Sequence, residues 1–366
     1  MKIINIIQGL EQLAPLSFQE SYDNAGLITG SADWDCSGVL CALDATLEVL
    51  QEAKDKQCNL VVAHHPILFK GLNKINGKNY VEQAIIYAIK HDIAIYAIHT
   101  NLDNVSHGVN LTIAQKLALI QPRILEPKRN QLLKLITFVP SSDAQPVQQA
   151  LFNAGAGGIG EYSECSFSIV GTGTFKGSEQ SNPTIGRKGI RETIPETRIE
   201  VILPINLQKQ VYAALIKAHP YETVAYDFIP IINEYEQVGS GIIGELANEM
   251  SEIAFLNLLK ERFNLSVIKH TPLLGKNIRK IAVCGGAGSF LISKALQAGA
   301  DFFISADIKY HEFFDAENRM VIADIGHWES EQFTTELLFS YLTTKFPNFA
   351  VLKTAIHTNP VRYFLG

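Results

Sequence analysis

The chain has 366 residues, of which 47% are hydrophobic and 19% are charged, and its formal net charge is −6. This length allows two or three domains with ordinary cores, and the composition is that of a folded globular protein. The acidic balance and the lack of a lysine- and arginine-rich block argue against nucleic acid as a partner. Five dispersed cysteines without a C-x-x-C pair are typical of a reduced, cytoplasmic protein.

The first residues are apolar, but Asn5 interrupts them and no small-residue cleavage site follows. We expect the first helix of the fold here rather than a signal peptide. No uninterrupted apolar stretch is long enough to span a bilayer, so we expect no membrane partner.

Residues 1 to about 125 alternate between strand-like and helix-like patterns. The pattern predicts strands at 38–43, 59–63 and 93–98, and helices at 47–56, 81–90 and 109–119. Each strand is short and apolar on both faces, which a parallel sheet covered by helices requires. The sequence therefore predicts an α/β domain of βαβ units.

The character changes between about 130 and 232. We predict a strand at 132–139, a helix at 145–154, a strand and long loop over 171–192, a strand at 198–203, a helix at 207–219 and a strand at 225–232. The order β-α-β-β-α-β is typical of a ferredoxin-like module. We interpret it as a separate α+β domain inserted into the first one.

From about 238 the α/β pattern resumes, with strands expected at 281–284, 302–305 and 321–324 and helices at 290–297 and 329–345. In both halves an apolar strand leads to a polar cluster, a helix follows, and a second strand leads to another cluster with a histidine. This similarity suggests a distant internal repeat. The predicted division is 1–129 for the first α/β half, 130–232 for the insert and 233–366 for the second α/β half.

Two adjacent histidines, His64 and His65, directly follow the apolar strand at 59–63 and precede Pro66. Neighbouring side chains in a strand point to opposite faces, so the pair suits two metal ions, or one ion and one hydrogen-bond partner. Open α/β sheets bind ligands at the carboxyl ends of their strands. A dinuclear metal site is therefore the first hypothesis.

Further ligand types follow other predicted strands. Asp103 comes after the strand at 93–98, and His327 and Glu331 are four residues apart at a helix start, where they share one face. Three histidines and two carboxylates are too few to close two metal sites. If Glu331 bridges, each ion keeps open positions, which distinguishes a catalytic site from a structural one.

Each of these residues also has a simpler explanation. A lone histidine at a strand end is more often a satisfied polar residue, Asp103 suits a turn or helix cap, and Glu331 suits the positive end of a helix dipole. The glycine-rich segment 284–289 follows a strand and could present N–H groups to an anion, but a tight turn is the commoner explanation. Only the combination across distant segments favours a metal site.

Seven motifs together resemble the Nif-three-like family of dinuclear metal-centre proteins, whose bacterial members are named GTP cyclohydrolase I type two homologues. They are YDNAGL at 22–27, DAT at 44–46, AHHP at 63–66, HTNLD at 99–103, CGGAGS at 284–289, SADIKYH at 305–311 and GHWESE at 326–331. The resemblance covers nearly the whole chain and is highly specific as a set.

The resemblance implies that the two-metal ligands are His64, His65, Asp103, His327 and Glu331, with Glu331 bridging. It also implies two similar α/β domains assembled into a toroidal homohexamer whose metal sites face an internal cavity. The insert resembles the PII/CutA-like domain of longer family members. Mixed imidazole and carboxylate ligands suit two divalent ions of zinc, iron, manganese, cobalt or nickel.

The leading functional hypothesis is a cytoplasmic metal-dependent hydrolase that opens the ring of a purine nucleotide or a related heterocycle. His99 and His311 are candidates for positioning or proton transfer, because hydrolysis needs a general acid near neutral pH. Two alternatives stay open: a non-catalytic scaffold, metal carrier or regulatory binding protein, which the inserted module motivates, and a phosphoesterase that uses the same ions.

Overall fold

The computed structural model describes residues 1–364, which divide into two compact units. The core unit joins Met1–Pro127 to the chain from Gln237 onwards, and the inserted unit is Lys128–Glu236. None of the helices in the described part of the chain is long and apolar enough to cross a membrane.

The amino-terminal part of the core unit alternates helices and strands. Its elements are α1 (Ile3–Leu13), β1 (Gly26–Thr29), β2 (Val39–Ala42), α2 (Leu47–Asp55), β3 (Leu60–Ala63), α3 (Tyr80–Lys90), β4 (Ala94–Ala97), α4 (Thr100–Asp103), α5 (Val109–Lys116) and β5 (Ile120–Lys128). Side-chain caps fix two of the helix starts, because the Thr46 and Asn79 side chains accept hydrogen bonds from the N–H groups of Val49 and Glu82.

The inserted unit contains β6 (Leu132–Pro140), α6 (Ala144–Asn153), β7 (Ser166–Lys176), β8 (Arg191–Pro204), α7 (Gln208–Ala218) and β9 (Tyr226–Ile231). Its four strands form one antiparallel sheet in the order β7-β8-β6-β9. The predicted order β-α-β-β-α-β is present. Leu135, Val201 and Leu215 are buried in a core that the sheet shares with both helices, so this unit has its own hydrophobic interior.

The carboxy-terminal part of the core unit completes two sheets. Its elements are β10 (Tyr235–Ser251), α8 (Glu252–Phe263), β11 (Lys269–His270), β12 (Asn277–Ala287), α9 (Ile292–Gln297), β13 (Phe302–Ala306), β14 (Val321–Asp324), α10 (His327–Glu331), α11 (Thr334–Lys345) and β15 (Val351–Lys353). The single helix predicted over 329–345 is therefore two helices, and the first of them begins at His327.

The two sheets of the core unit resemble each other. The first has the order β1-β4-β3-β2-β15 and the second β11-β14-β13-β12-β10-β5. In each, three parallel strands (β2, β3, β4 and β12, β13, β14) lie beside an antiparallel strand, β1 or β11. The parallel strands are buried along most of their length, as expected for strands covered on both faces. The predicted α/β fold is confirmed.

Candidate metal centre

The carboxyl ends of β3, β4 and β14 lead directly into the predicted ligand residues. His64 and His65 follow β3, and their N–H groups donate to the carbonyls of Ala42 and Leu43, so the backbone stays paired with the end of β2. Asp103 is the last residue of α4, which begins three residues after β4, and α10, which follows β14, carries the other two predicted ligands. The two sheets thus bring all five predicted residues together.

One group of side chains consists of His65, His327 and Glu331. The Nε2 atom of His65 lies 2.9 Å from Oε2 of Glu331, and the Nε2 atom of His327 lies 3.1 Å from the same oxygen. The two Nε2 atoms are 3.3 Å apart. These three ligand-type atoms therefore converge on one point, with one residue from the first sheet and two from the second.

A second group consists of His64, Asp103 and the same Glu331. The Nε2 atom of His64 lies 3.6 Å from Oδ1 of Asp103 and 3.8 Å from Oε1 of Glu331. Glu331 is buried, and its two oxygens face the two different groups. Around Glu331, His64 and His65 fall into separate groups, but both also belong to a third group of ligand-type atoms, which they form with His99.

The Nδ1 atom of each of these histidines is held by an oxygen outside the cluster. His64 Nδ1 lies 2.9 Å from the carbonyl of Ile98, His65 Nδ1 lies 2.7 Å from Asp44, and His327 Nδ1 lies 2.7 Å from Asp307. An acceptor at Nδ1 fixes the ring and directs Nε2 into the cluster. Oxygen partners of this kind are typical of histidines that hold metal.

The cluster also contains polar atoms that lack a protein partner. Among the described residues, Nε2 of His64 and Oδ1 of Asp103 are buried without a hydrogen bond. Buried polar atoms are normally paired, so two such atoms 3.6 Å apart are placed as two ligands of one metal ion would be. Imidazole and carboxylate are both donor types that divalent transition metals accept, so the residues fit a metal ion.

Gly286 forms one wall of the cluster and cannot be replaced by a larger residue. Its φ is +59°, and an added Cβ would lie 2.3 Å from Oε1 of Glu331. The left-handed conformation and the close approach both favour glycine. The glycine-rich segment therefore leaves room for the Glu331 carboxylate, a role that the sequence pattern did not suggest.

The carboxylates and histidines of the cluster shift one another's pKa values. Burial alone would lower the pKa of His65, but hydrogen bonds to Asp44 and Glu331 raise that pKa to about 10. The pKa of His327 is likewise raised to about 9, against the effect of burial, by Glu331 and Asp307. Burial and the charge of Glu331 raise the pKa of Asp103 to about 7. The buried carboxylates therefore favour positive charge in the cluster, whether it comes from protons on the histidines or from metal ions.

His99 lies beside the cluster. Its ring centroid is 5.3 Å from that of His64 and 5.5 Å from that of His65, and its Nδ1 lies 2.8 Å from Oδ1 of Asp23. Burial alone would raise the pKa of Asp23, but hydrogen bonds from His99 and Thr100 lower it to about 2. The ionised Asp23 therefore accepts a hydrogen bond from the Nδ1–H group of His99.

The other proton-transfer candidate, His311, is exposed and lies against Tyr310 and Phe314. None of the three ligand groups found among the described residues includes it. Its proposed role stays a prediction. The sequence reasoning also gave no role to Asp44, Asp307 or Asp23, although each lies inside a motif that carried the family resemblance.

A cavity of about 420 Å³ opens onto the cluster. Its walls include His65, His99, Asp103, His327 and Glu331. The ligand-type atoms therefore face a space in which a small molecule fits.

The fold and this cluster define a mixed α/β protein with a candidate metal centre between the ends of two similar sheets. A sequence model of the Duf34/NIF3 (NGG1p interacting factor 3) family matches residues 1–360. The chain belongs to this family.

Relatives match over the whole length. A protein of Halalkalibacterium halodurans named "GTP cyclohydrolase 1 type 2 homolog" is 39% identical over 99% of this chain and 100% of its own. A Bacillus cereus protein described as related to NIF3 has a solved structure that matches with a TM-score of 0.88 and 36% identity, over 100% of this chain and 99% of its own. A solved Staphylococcus aureus structure matches with a TM-score of 0.78 and 31% identity over the same shares.

Proposed function

We propose that the chain is a metal-dependent hydrolase whose cluster holds two divalent ions. His65 and His327 would hold one ion, His64 and Asp103 would hold the other, and Glu331 would serve both. The observation that carries this proposal is that the two oxygens of Glu331 face two separate groups of ligand-type atoms. A shared carboxylate of this kind is what a bridged pair of ions requires.

Two ions at such a site would lower the pKa of a water molecule and polarise the bond that it attacks. Few protein donors are available for two ions, so open positions would remain for water and substrate. The protein itself supplies proton transfer, and His99 is the best placed residue because it lines the cavity and Asp23 fixes its Nδ1. With Nδ1 engaged, Nε2 is the atom through which His99 would exchange a proton with substrate.

The proposed reaction is hydrolytic opening of a heterocyclic ring, the chemistry that the name of the relatives describes. One water molecule adds across the ring C–N bond that breaks. The carbon keeps the oxygen and the nitrogen leaves with a proton. The departing nitrogen therefore requires a general acid, and we assign that role to His99.

The test combines metal analysis with turnover. We expect about two divalent ions per chain in gently purified protein, and loss of the ring's ultraviolet absorption when purine nucleosides and nucleotides are added. In Glu331→Gln both ions and turnover should be lost. Glu329→Gln is the matched control, because Glu329 lies on the same helix and bonds Asn359 instead of the cluster.

The outcomes separate the alternatives. Wild-type protein that binds two ions and leaves every ring intact would make the chain a metal carrier or regulator rather than a hydrolase. Turnover of generic phosphate esters instead would make it a phosphoesterase. The metal centre would be refuted if the wild-type protein contained no metal and the Glu331→Gln variant kept the wild-type fold.

We also propose the toroidal homohexamer and the likeness of the inserted unit to PII/CutA domains, both of which rest on the family resemblance. Sedimentation of the full chain measures the first directly. A species of six chains is expected, and a monomer at micromolar concentration would contradict it.

A further inference from the structure

The chain that follows β15 runs to the candidate metal centre. The hydroxyl oxygen of Thr358 lies 2.5 Å from Oδ2 of Asp44, and Oδ1 of the same carboxylate lies 2.7 Å from Nδ1 of His65. Thr358 is 314 residues away from Asp44 in sequence and belongs to none of the seven motifs that carried the family resemblance. It therefore reaches a predicted metal ligand through a single carboxylate.

The two contacts of Asp44 engage its two oxygens separately. Asp44 lies two residues after β2, and its side chain is 30% exposed. The torsion that turns an aspartate carboxylate has no sharp preference of its own, so a single contact leaves the carboxylate free to rotate. A second contact, on the other oxygen, fixes its plane. A hydroxyl that donates to a carboxylate suits this purpose, because such charge-assisted bonds are stronger than those between neutral groups.

The chain is held in place both before and after this hydroxyl. Before it, the hydroxyl of Thr354 and the N–H group of Ala355 donate to the carboxylate of Glu52 on α2. After it, Asn359 is buried, and its side-chain amide donates to Oε1 of Glu329 over 3.1 Å. The hydroxyl therefore belongs to a fixed stretch of chain and can hold a carboxylate in one orientation.

The same stretch of chain also borders the cluster. A cavity of about 430 Å³ has His65 and His327 in its walls, together with Asn359, Val361 and Tyr363. The segment that supplies the hydroxyl is thus a neighbour of both histidines that share the Oε2 atom of Glu331.

A second threonine of the segment separates a positioning role from a structural one. Thr354 and Thr358 are both half-buried, and the hydroxyl of each donates to a carboxylate. The carboxylate that Thr354 contacts is Glu52, whose side chain also pairs with Lys56 at 2.7 Å and is absent from the three ligand groups found among the described residues. Both hydroxyls fasten the segment, and that of Thr358 also leads to a metal ligand.

We infer that Thr358 is a positioning residue of the metal centre, which acts through Asp44 on the ring of His65. The inference rests on the proposed function, since it concerns the ion that His65 and His327 would hold. A ring that is free to turn directs its Nε2 atom at the ion for less of the time. Loss of a direct partner of a metal-binding histidine typically weakens affinity by tenfold to a hundredfold, and one step further out we expect about threefold to tenfold.

The test measures the affinity of the full chain for Zn²⁺ by competition with a chromogenic chelator. Thr358→Val keeps the shape of the side chain and removes the hydroxyl, so we expect the affinity for one ion to fall by about threefold to tenfold and that for the other ion to stay unchanged. Thr358→Ser keeps the hydroxyl and should retain the wild-type affinity. Thr354→Val is the matched control, and both affinities should stay unchanged in it.

Urea denaturation with chelator present provides the structural readout. Thr358→Val and Thr354→Val should shift the midpoint by similar amounts, because each loses one bond between a hydroxyl and a carboxylate. Unchanged Zn²⁺ affinities in Thr358→Val, equal weakening in Thr354→Val, or weakening in Thr358→Ser would each overturn the inference and leave the metal centre standing. Wild-type protein that binds no Zn²⁺ would refute the metal centre and this inference with it. Absence of turnover in protein that binds two ions would refute only the hydrolase.

Discussion

The two sides of the candidate metal centre hold chemically equivalent residues in different ways. On the side of the first sheet, His64 is 0% exposed and its Nδ1 is held by the main-chain carbonyl of Ile98. On the side of the second sheet, the His327 side chain is 37% exposed and is held by the side chain of Asp307, which is itself 56% exposed. One histidine is therefore fixed by the sheet, and the other by a surface carboxylate.

Asp307 adds to this contrast through its backbone. Its φ is +55°, in the left-handed region that residues other than glycine seldom adopt, and it lies directly after β13. The fold thus maintains an unfavourable conformation where it presents a carboxylate to His327. We expect the first side to be rigid with or without metal, and the second side to depend on a replaceable contact.

The largest difference is expected between His64→Ala and His327→Ala. Both should lose one ion, but only His64→Ala removes a fully buried side chain and leaves the Ile98 carbonyl unpaired. We expect its free energy of unfolding, measured by urea denaturation with chelator, to fall by about 2–4 kcal/mol. His327→Ala should change it by less than about 1 kcal/mol. Equal losses would remove the contrast between the two sides.

A smaller effect is expected from Asp307→Ala. Loss of the carboxylate should free the His327 ring and weaken the affinity for one ion by roughly tenfold to a hundredfold, while the other ion stays bound. Competition with a chromogenic chelator measures this. Asp307→Asn is the conservative control, because asparagine accepts the same hydrogen bond and tolerates a positive φ. It should retain most of the affinity, and an Ala variant with unchanged binding would show that Asp307 does not position His327.

Asp23 holds the segment that follows β4, on the first side of the candidate metal centre. Asp23 accepts hydrogen bonds from the N–H and hydroxyl of Thr100 and from His99, and its pKa of about 2 lies below the ordinary value of 3.8. A lowered pKa stabilises the fold above pH 4, and this contribution is lost as pH falls towards 2. Asp23→Asn should therefore reduce the free energy of unfolding by about 2 kcal/mol at pH 7.

The difference between Asp23→Asn and wild type should shrink as the pH is lowered from 4 to 2, in urea titrations with chelator present. Asp33→Asn, at an exposed aspartate in a turn, serves as the control. A difference that stays constant with pH would mean that Asp23 acts through packing rather than through its charge.

Much of the fold could be predicted because the parallel strands are apolar and short. The strand predicted at 321–324 matches β14, and those at 59–63 and 93–98 match β3 and β4 to within one residue at each end. Strands β5 and β10 went unpredicted. They are long, carry many exposed residues and form one edge of the second sheet, so their sequences lack the continuous apolar run that marks a central strand.

The residues of the cluster could be predicted from their positions after strands, but their supporting partners could not. Asp44 and Asp307 bind histidines that are 21 and 20 residues away in sequence, and Asp23 binds one that is 76 residues away. Such pairings depend on which loops meet at a sheet edge. The role of Gly286 depends on how closely its Cα approaches Glu331, since an added Cβ would lie 2.3 Å from Oε1 of that residue. No residue pattern encodes such a distance.

The position of β15 has a consequence for synthesis. β15 pairs in parallel with β2, so Val351 lies beside Val39 at the edge of a sheet whose other strands all come from the first hundred residues. As the chain leaves the ribosome, that edge stays open from the completion of β4 at Ala97 until Val351 has been added, about 250 residues later. The inserted unit is complete long before then. The unpaired edge of an apolar strand can pair with strands of other chains. We therefore expect this protein to need chaperones most while only its amino-terminal half has been made.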